Sequence, residues 1–223
     1  QVTARRSLPS ARHPPRAAVP APLRGGASVV RVSPSRPLRL LMDARYTRTD
    51  FHDGISRYGG SLIEAVPRRA AAPGPEGADV EIAMLISDER QLALLPDGVP
   101  WHLVSGPTSP REPFVARQVA RLRPDVVFSP MQTMGSWGRD YALILTLHDL
   151  IYYEHRTPPR NLSEPIRWLW RAYHLTKIPQ RLLLDRADAV ATVSRTTAEL
   201  IDRHRLTRRP VHVIANAAQT VPE

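Results

Sequence analysis

Residues 142–149 read ALILTLHD, an almost unbroken apolar run that ends abruptly in His148 and Asp149. A strand that is apolar on both faces is what a parallel sheet covered by helices on both sides requires. Comparable runs recur along the chain: LRLLMDAR (38–45), VEIAMLIS (80–87), WHLV (101–104), VVFSP (126–130), AVATVS (189–194) and VHVIAN (211–216). Helical patterns lie between most of them. Over 55–69, Ile55, Tyr58, Leu62 and Ala65/Val66 recur at three-to-four-residue spacing and so mark one face of a helix. Further helices are predicted over 113–123, over 163–186 with an interruption at Pro179, and over 195–205, with a short one over 88–95. Loops fall at 46–54 and at 70–79, the latter rich in Pro and Gly. Strands alternating with helices in this way predict an α/β fold, a doubly wound, mainly parallel Rossmann-like sheet. Such sheets bind ligands beyond the carboxyl ends of their strands. The rim residues selected by that rule are Asp43, Ser129, His148, Asp149, Ser194 and Asn216.

Composition narrows the class further. The chain has 223 residues and a net charge of +10, but residues 1–37 hold seven arginines, seven prolines and no acid. The remaining residues carry 24 basic and 21 acidic side chains, so the body is close to balanced and nucleic acid is not expected as a partner. The 1–37 segment is too polar and too proline-rich to offset its ordering entropy, and is expected to be a disordered extension, with an ordered domain over 38–223. There are no cysteines, which excludes disulfides and thiolate metal sites and fits a reducing, cytoplasmic setting. No apolar run approaches the ~18 residues of a membrane span.

Several residues carry candidate chemistry, each beside a plainer role. Gly54 precedes a helix, where a bare backbone lets the helix N-terminus meet an anion; it can equally be an ordinary loop glycine. His148 stands at a strand end, where it can orient or exchange a proton with a hydroxyl, or simply bond to backbone. Ser194 suits a helix cap, with Thr196 and Thr197 as rivals. Asn216 suits a turn, a hinge or a ligand contact. Trp168, Trp170 and Tyr173 alternate with Arg167 and Arg171; Trp170 and Tyr173 share helical spacing with Ile166 and Leu169, which predicts core packing. G-x-G-x-x-G, P-loop and G-x-S-x-G fingerprints are all missing.

The order MDARY (42–46), DGISRY (53–58), TLHDLIYYEH (146–155), ADAVATVSRTTAELIDRH (187–204) and VHVIANA (211–217) resembles the amino-terminal domain of family 4 glycosyltransferases, retaining enzymes of GT-B architecture. The resemblance covers about residues 38–220. It implies a hexose transfer from a nucleotide-sugar donor to a sugar or lipid-linked acceptor, without a metal or other cofactor. By matching position it implies that His148 lines the acceptor pocket and contacts the transferred sugar and that Asp149 shapes the same loop. Gly54, Ser194 and Asn216 become the expected donor-side contacts. Two positions depart from the family pattern: Ala217 stands where a glycine usually follows the asparagine, and Gly54 is preceded by Asp53 rather than a second glycine. The stretch ends at Glu223, before the family's donor-binding second domain, so this piece alone is expected to be inactive. Some relatives act at membranes, which adds a weak peripheral contact with the inner membrane face. The alternative is a non-catalytic remnant or binding domain that keeps the fold.

Overall fold

The computed structural model describes residues 36–51, 53–71, 79–154, 157–158 and 163–216. The extension expected over 1–37 lies outside them apart from Arg36 and Pro37, as does Ala217. The elements run β1 (Leu38–Asp43), α1 (Gly54–Ala70), β2 (Val80–Ile86), a 3₁₀ turn (Glu89–Leu94), β3 (Trp101–Leu103), a second 3₁₀ turn (Glu112–Phe114), α2 (Val115–Ala120), β4 (Val126–Ser129), β5 (Ala142–Leu147), α3 (Ile151–Glu154), α4 (Glu164–Leu175), α5 (Ile178–Leu184), β6 (Ala189–Thr192), α6 (Arg195–Arg203) and β7 (Val211–Val213).

The seven strands form one sheet in the order β3-β2-β1-β4-β5-β6-β7, and every pairing is parallel. The chain winds outward from β1 through β2 to β3, then returns to lay β4 on the other side of β1. The strand order therefore reverses between β1 and β4, and their carboxyl ends flank the crevice where such sheets bind ligands.

Strand alternation builds two layers of core. Leu41, Leu85, Val127, Leu143 and Leu145 face one side with Val115 and Val119 of α2. Met42, Met84, Ile86 and Phe128 face the other with Tyr58 and Ile63 of α1. A third cluster joins Leu147, Leu184, Val190, Ile201 and Leu206 under α5 and α6. Between β4 and β5 no helix intervenes. Met134 and Tyr141 of the connecting segment are buried with α2 instead and take a helix's place in the layer.

Four expectations need correction. The long helical stretch breaks at Thr176, which is extended, and Pro179 sits near the start of α5, where its missing N–H costs nothing. The last strand stops at Val213, leaving Asn216 exposed beyond it. β6 ends at Thr192, so Ser194 lies beyond the strand rather than closing it. Most consequentially, α4 buries none of its residues: Ile166 is 50% and Leu169 71% exposed. That helix leans on the short α3, through Tyr152 against Trp170, rather than on the sheet.

Candidate functional site

At the β1/β4 crevice, the rim is closed by a buried charge cluster. Asp43 ends β1 and accepts hydrogen bonds from Arg45 Nε (2.7 Å) and Nη2 (3.0 Å) and from Ser129 Oγ (3.0 Å). The same guanidinium reaches Glu112 with Nη1 (2.6 Å) and Nη2 (3.1 Å), and the carbonyl of Ser105. The Arg45 and Asp43 side chains are wholly buried and Glu112 nearly so. Burial opposes the Arg45 charge, but the two carboxylates more than compensate and raise its pKa above the ordinary value. Glu112 also accepts from the Gly135 N–H, and Gln91 donates to the carbonyls of Arg45 and Thr47. Three loops are thus fastened to one arginine.

One strand farther along, the rim opens. His148 follows β5, and its Nε2 lies 2.8 Å from the Pro130 carbonyl. A carbonyl only accepts, so Nε2 carries the hydrogen and the neutral ring keeps its lone pair on Nδ1. The ring meets Tyr58 edge-on at 5.2 Å. Its carbonyl accepts from Thr197 Oγ1 (3.2 Å), which in turn pairs with Ser194 Oγ (2.9 Å). Ser194 caps α6 by accepting from the Thr197 N–H. Its hydroxyl is thereby committed to the cap and, through Thr197, to holding the His148 backbone. Asp149 is exposed and accepts from the Ile151 N–H, which starts α3.

His148 and Asp149 share the wall of a cavity of about 140 Å³ with Tyr152, His174 and Gln180. His174 Nδ1 donates to the Trp170 carbonyl (2.8 Å), and its ring lies 4.0 Å from that of Trp170. The Gln180 carbonyl oxygen accepts from Tyr173 OH, while its buried Nε2 has no partner among the described residues. His174 and Gln180 were not singled out from sequence. They sit 26 and 32 residues from His148 along the chain, with no short-range spacing to link them.

A second cavity of about 320 Å³ is lined by Gly54, Arg57, Ser61, Ala215 and Asn216. Here α1 begins. Asp53 caps it by accepting from Ser56 N and Oγ, both at 2.8 Å. A Cβ at Gly54 would meet nothing within 4 Å, so no packing inside the described structure demands glycine there. The N–H groups of Gly54 and Ile55 precede the capped Ser56 at the start of a 17-residue helix, and Arg57 lines the same cavity. Tyr58 lines this cavity too, and its ring meets that of His148, which lines the first. The Tyr58 hydroxyl donates to the Ile214 carbonyl (3.3 Å), and burial pushes its pKa up to about 12, so it stays neutral.

The structure therefore brings His148 and Asp149 together in one cavity, and Gly54 and Asn216 in the other; Ser194 supports the first from behind. Among the described residues, no cluster of three or more His, Cys, Asp or Glu is arranged to hold a metal, and no helix is long and apolar enough to cross a membrane. Residues 54–220 match the sequence model of Glycosyltransferase Family 4. No curated protein matches the chain.

Proposed function

The chain belongs to Glycosyltransferase Family 4, and on that premise we propose that it is the acceptor side of a retaining hexosyltransferase that takes its sugar from a nucleotide-sugar donor. The observation that carries this reading is a pair of cavities, one lined by His148 and one by Tyr58, whose rings are in contact. Transfer needs two ligands that meet at one point, and two adjoining cavities support that need.

In the donor-side cavity, the diphosphate lies against the start of α1. As the bond from the anomeric carbon to the diphosphate oxygen breaks, negative charge collects on that oxygen. The N–H groups of Gly54 and Ile55 and the Arg57 guanidinium oppose it without reorganising. Asn216 contacts the donor from the facing wall. In the acceptor-side cavity, the Nδ1 lone pair of His148 accepts from a sugar hydroxyl, and Asp149 holds the turn that presents the ring. Ser194 acts through Thr197 and the His148 carbonyl, behind the acceptor-side cavity. No metal takes part. The setting is cytoplasmic, with a weak contact to the inner membrane face, and a lipid-linked sugar is a fitting acceptor. The described residues supply one sheet and one rim, and a polypeptide of residues 1–223 binds ligands without turning over.

The test is calorimetric titration of this polypeptide with methyl α-mannoside, methyl α-glucoside, UDP-glucose and GDP-mannose. A hexoside binds, His148→Ala weakens that binding about tenfold, and nucleotide-sugar binding is weaker and survives the substitution. A folded chain that binds none of the four would sink the reading and favour a non-catalytic remnant. Steady turnover by residues 1–223 alone would overturn the inactivity.

A further inference from the structure

The loop that replaces a helix between β4 and β5 exposes one large aromatic side chain. Met134 and Tyr141 bury its flanks against α2, yet Trp137 between them is 64% exposed. The indole stacks on Phe114, itself 40% exposed, with ring centroids 5.1 Å apart and planes 27° from parallel. The Arg117 guanidinium lies 5.5 Å from the Phe114 centroid and 5.9 Å from that of Trp137. Arg117 is exposed and holds no acid among the described residues. Two glycines fix the loop on either side of the indole. At Gly135 a Cβ would sit 1.8 Å from the Glu112 carbonyl oxygen. Gly138 turns with φ +78°, and a Cβ there would crowd Arg117 Nε at 3.1 Å. Trp137 is thus held in place by close backbone contacts rather than by burial of its own ring. An exposed aromatic that is already fixed loses little entropy when a ligand stacks on it.

Size and place say what stacks there. One indole and one phenyl ring offer far less than the ~800 Å² per partner of a stable protein interface. They match the flat face of one pyranose ring, whose C–H hydrogens meet the negative face of an aromatic system while its edge hydroxyls reach Arg117. The same loop begins at the His148 cavity: the Pro130 carbonyl bonds to His148, and Met131 and Gln132 line the wall. Trp137 lies five residues beyond Gln132, at most about 17 Å of extended chain. Glu112, two residues before Phe114, is fastened to Arg45 just after β1, which keeps the aromatic pair at the rim. We propose that Trp137, with Phe114 and Arg117, is a stacking platform for an inner sugar of an oligosaccharide acceptor whose terminal sugar lies against His148. The proposal rests on the acceptor reading above and narrows the acceptor from a single sugar to a chain of several.

The experiment is calorimetric titration of residues 1–223 with methyl α-mannoside and methyl α-glucoside against linear α-mannotetraose and maltotetraose. At least one tetrasaccharide binds about tenfold tighter than its monosaccharide. Trp137→Ala removes that advantage, so that tetrasaccharide and monosaccharide bind alike, and its thermal midpoint shifts little because the ring is exposed. Trp137→Phe keeps part of the advantage. The platform is overturned, and the acceptor reading left standing, if monosaccharides bind and neither tetrasaccharide binds tighter, or if the advantage survives Trp137→Ala. A dimer that Trp137→Ala takes apart would assign the ring to a second copy and overturn it as well. Tetrasaccharide binding that depends on Trp137 and not on His148 would keep the platform and sink the acceptor reading instead. A folded chain that binds no sugar at all sinks both.

Discussion

Two loops of the same rim, one after β1 and one after β5, carry similar-looking chemistry and use it oppositely. Each begins where a parallel strand ends and offers an acid beside a basic side chain, Asp43 with Arg45 and Asp149 with His148. After β1, both side chains are fully buried and every polar atom is spent on the protein itself. After β5, the histidine is half-buried, the aspartate is exposed, and both face a cavity. A charged pair at a strand end is therefore a post when its partners come from within and a binding surface when they do not. Burial draws the line, and it cannot be read from either motif.

The comparison can be broken at its strongest point by Arg45→Ala. It strands Asp43 and Glu112 together in the interior, and the expected loss is about 3–5 kcal/mol in urea unfolding. A loss under about 1 kcal/mol would mean that the β1 loop is no post at all. Next comes Gly135→Ala. The new Cβ would sit 1.8 Å from the Glu112 carbonyl oxygen, against backbone that cannot yield without moving the Arg45 cluster. Roughly 2 kcal/mol or more of stability should go. His148→Ala is the reverse case. Hexoside binding should fall about tenfold, while unfolding free energy shifts by less than about 1 kcal/mol. Equal losses in both would erase the distinction between the loops. Ser194→Ala sharpens it at the small end. Loss of the α6 cap should cost about 1 kcal/mol, and the loosened Thr197–His148 contact should weaken hexoside binding only a few-fold.

Much of this architecture was legible in the chain itself. Runs such as ALILTLHD and VVFSP mark buried parallel strands because a strand covered on both faces has no position left for a polar side chain. Strand ends then name the rim, and His148 and Asp149 are found there as expected. Gly54 announced the start of α1, whereas the cap that Asp53 supplies there came from the structure. The cluster on Arg45 was not legible. Glu112 is 67 residues away and Ser105 is 60, so no spacing rule connects them. Nor were Gln180 and His174, which reach the His148 cavity from separate helices. The α4 stripe shows the limit most clearly. Periodicity correctly grouped Ile166, Leu169, Trp170 and Tyr173 on a helix, and the expected core did not follow.

The amino-acid sequence by itself thus determined the elements, their parallel sheet and the rim, because strand burial, helix periodicity and caps are set by near neighbours. Only the tertiary structure decided which rim residues are locked and which are open, and which way α4 faces. Those depend on what packs across from a side chain, and a hydrophobic period specifies that a face exists without specifying what it meets.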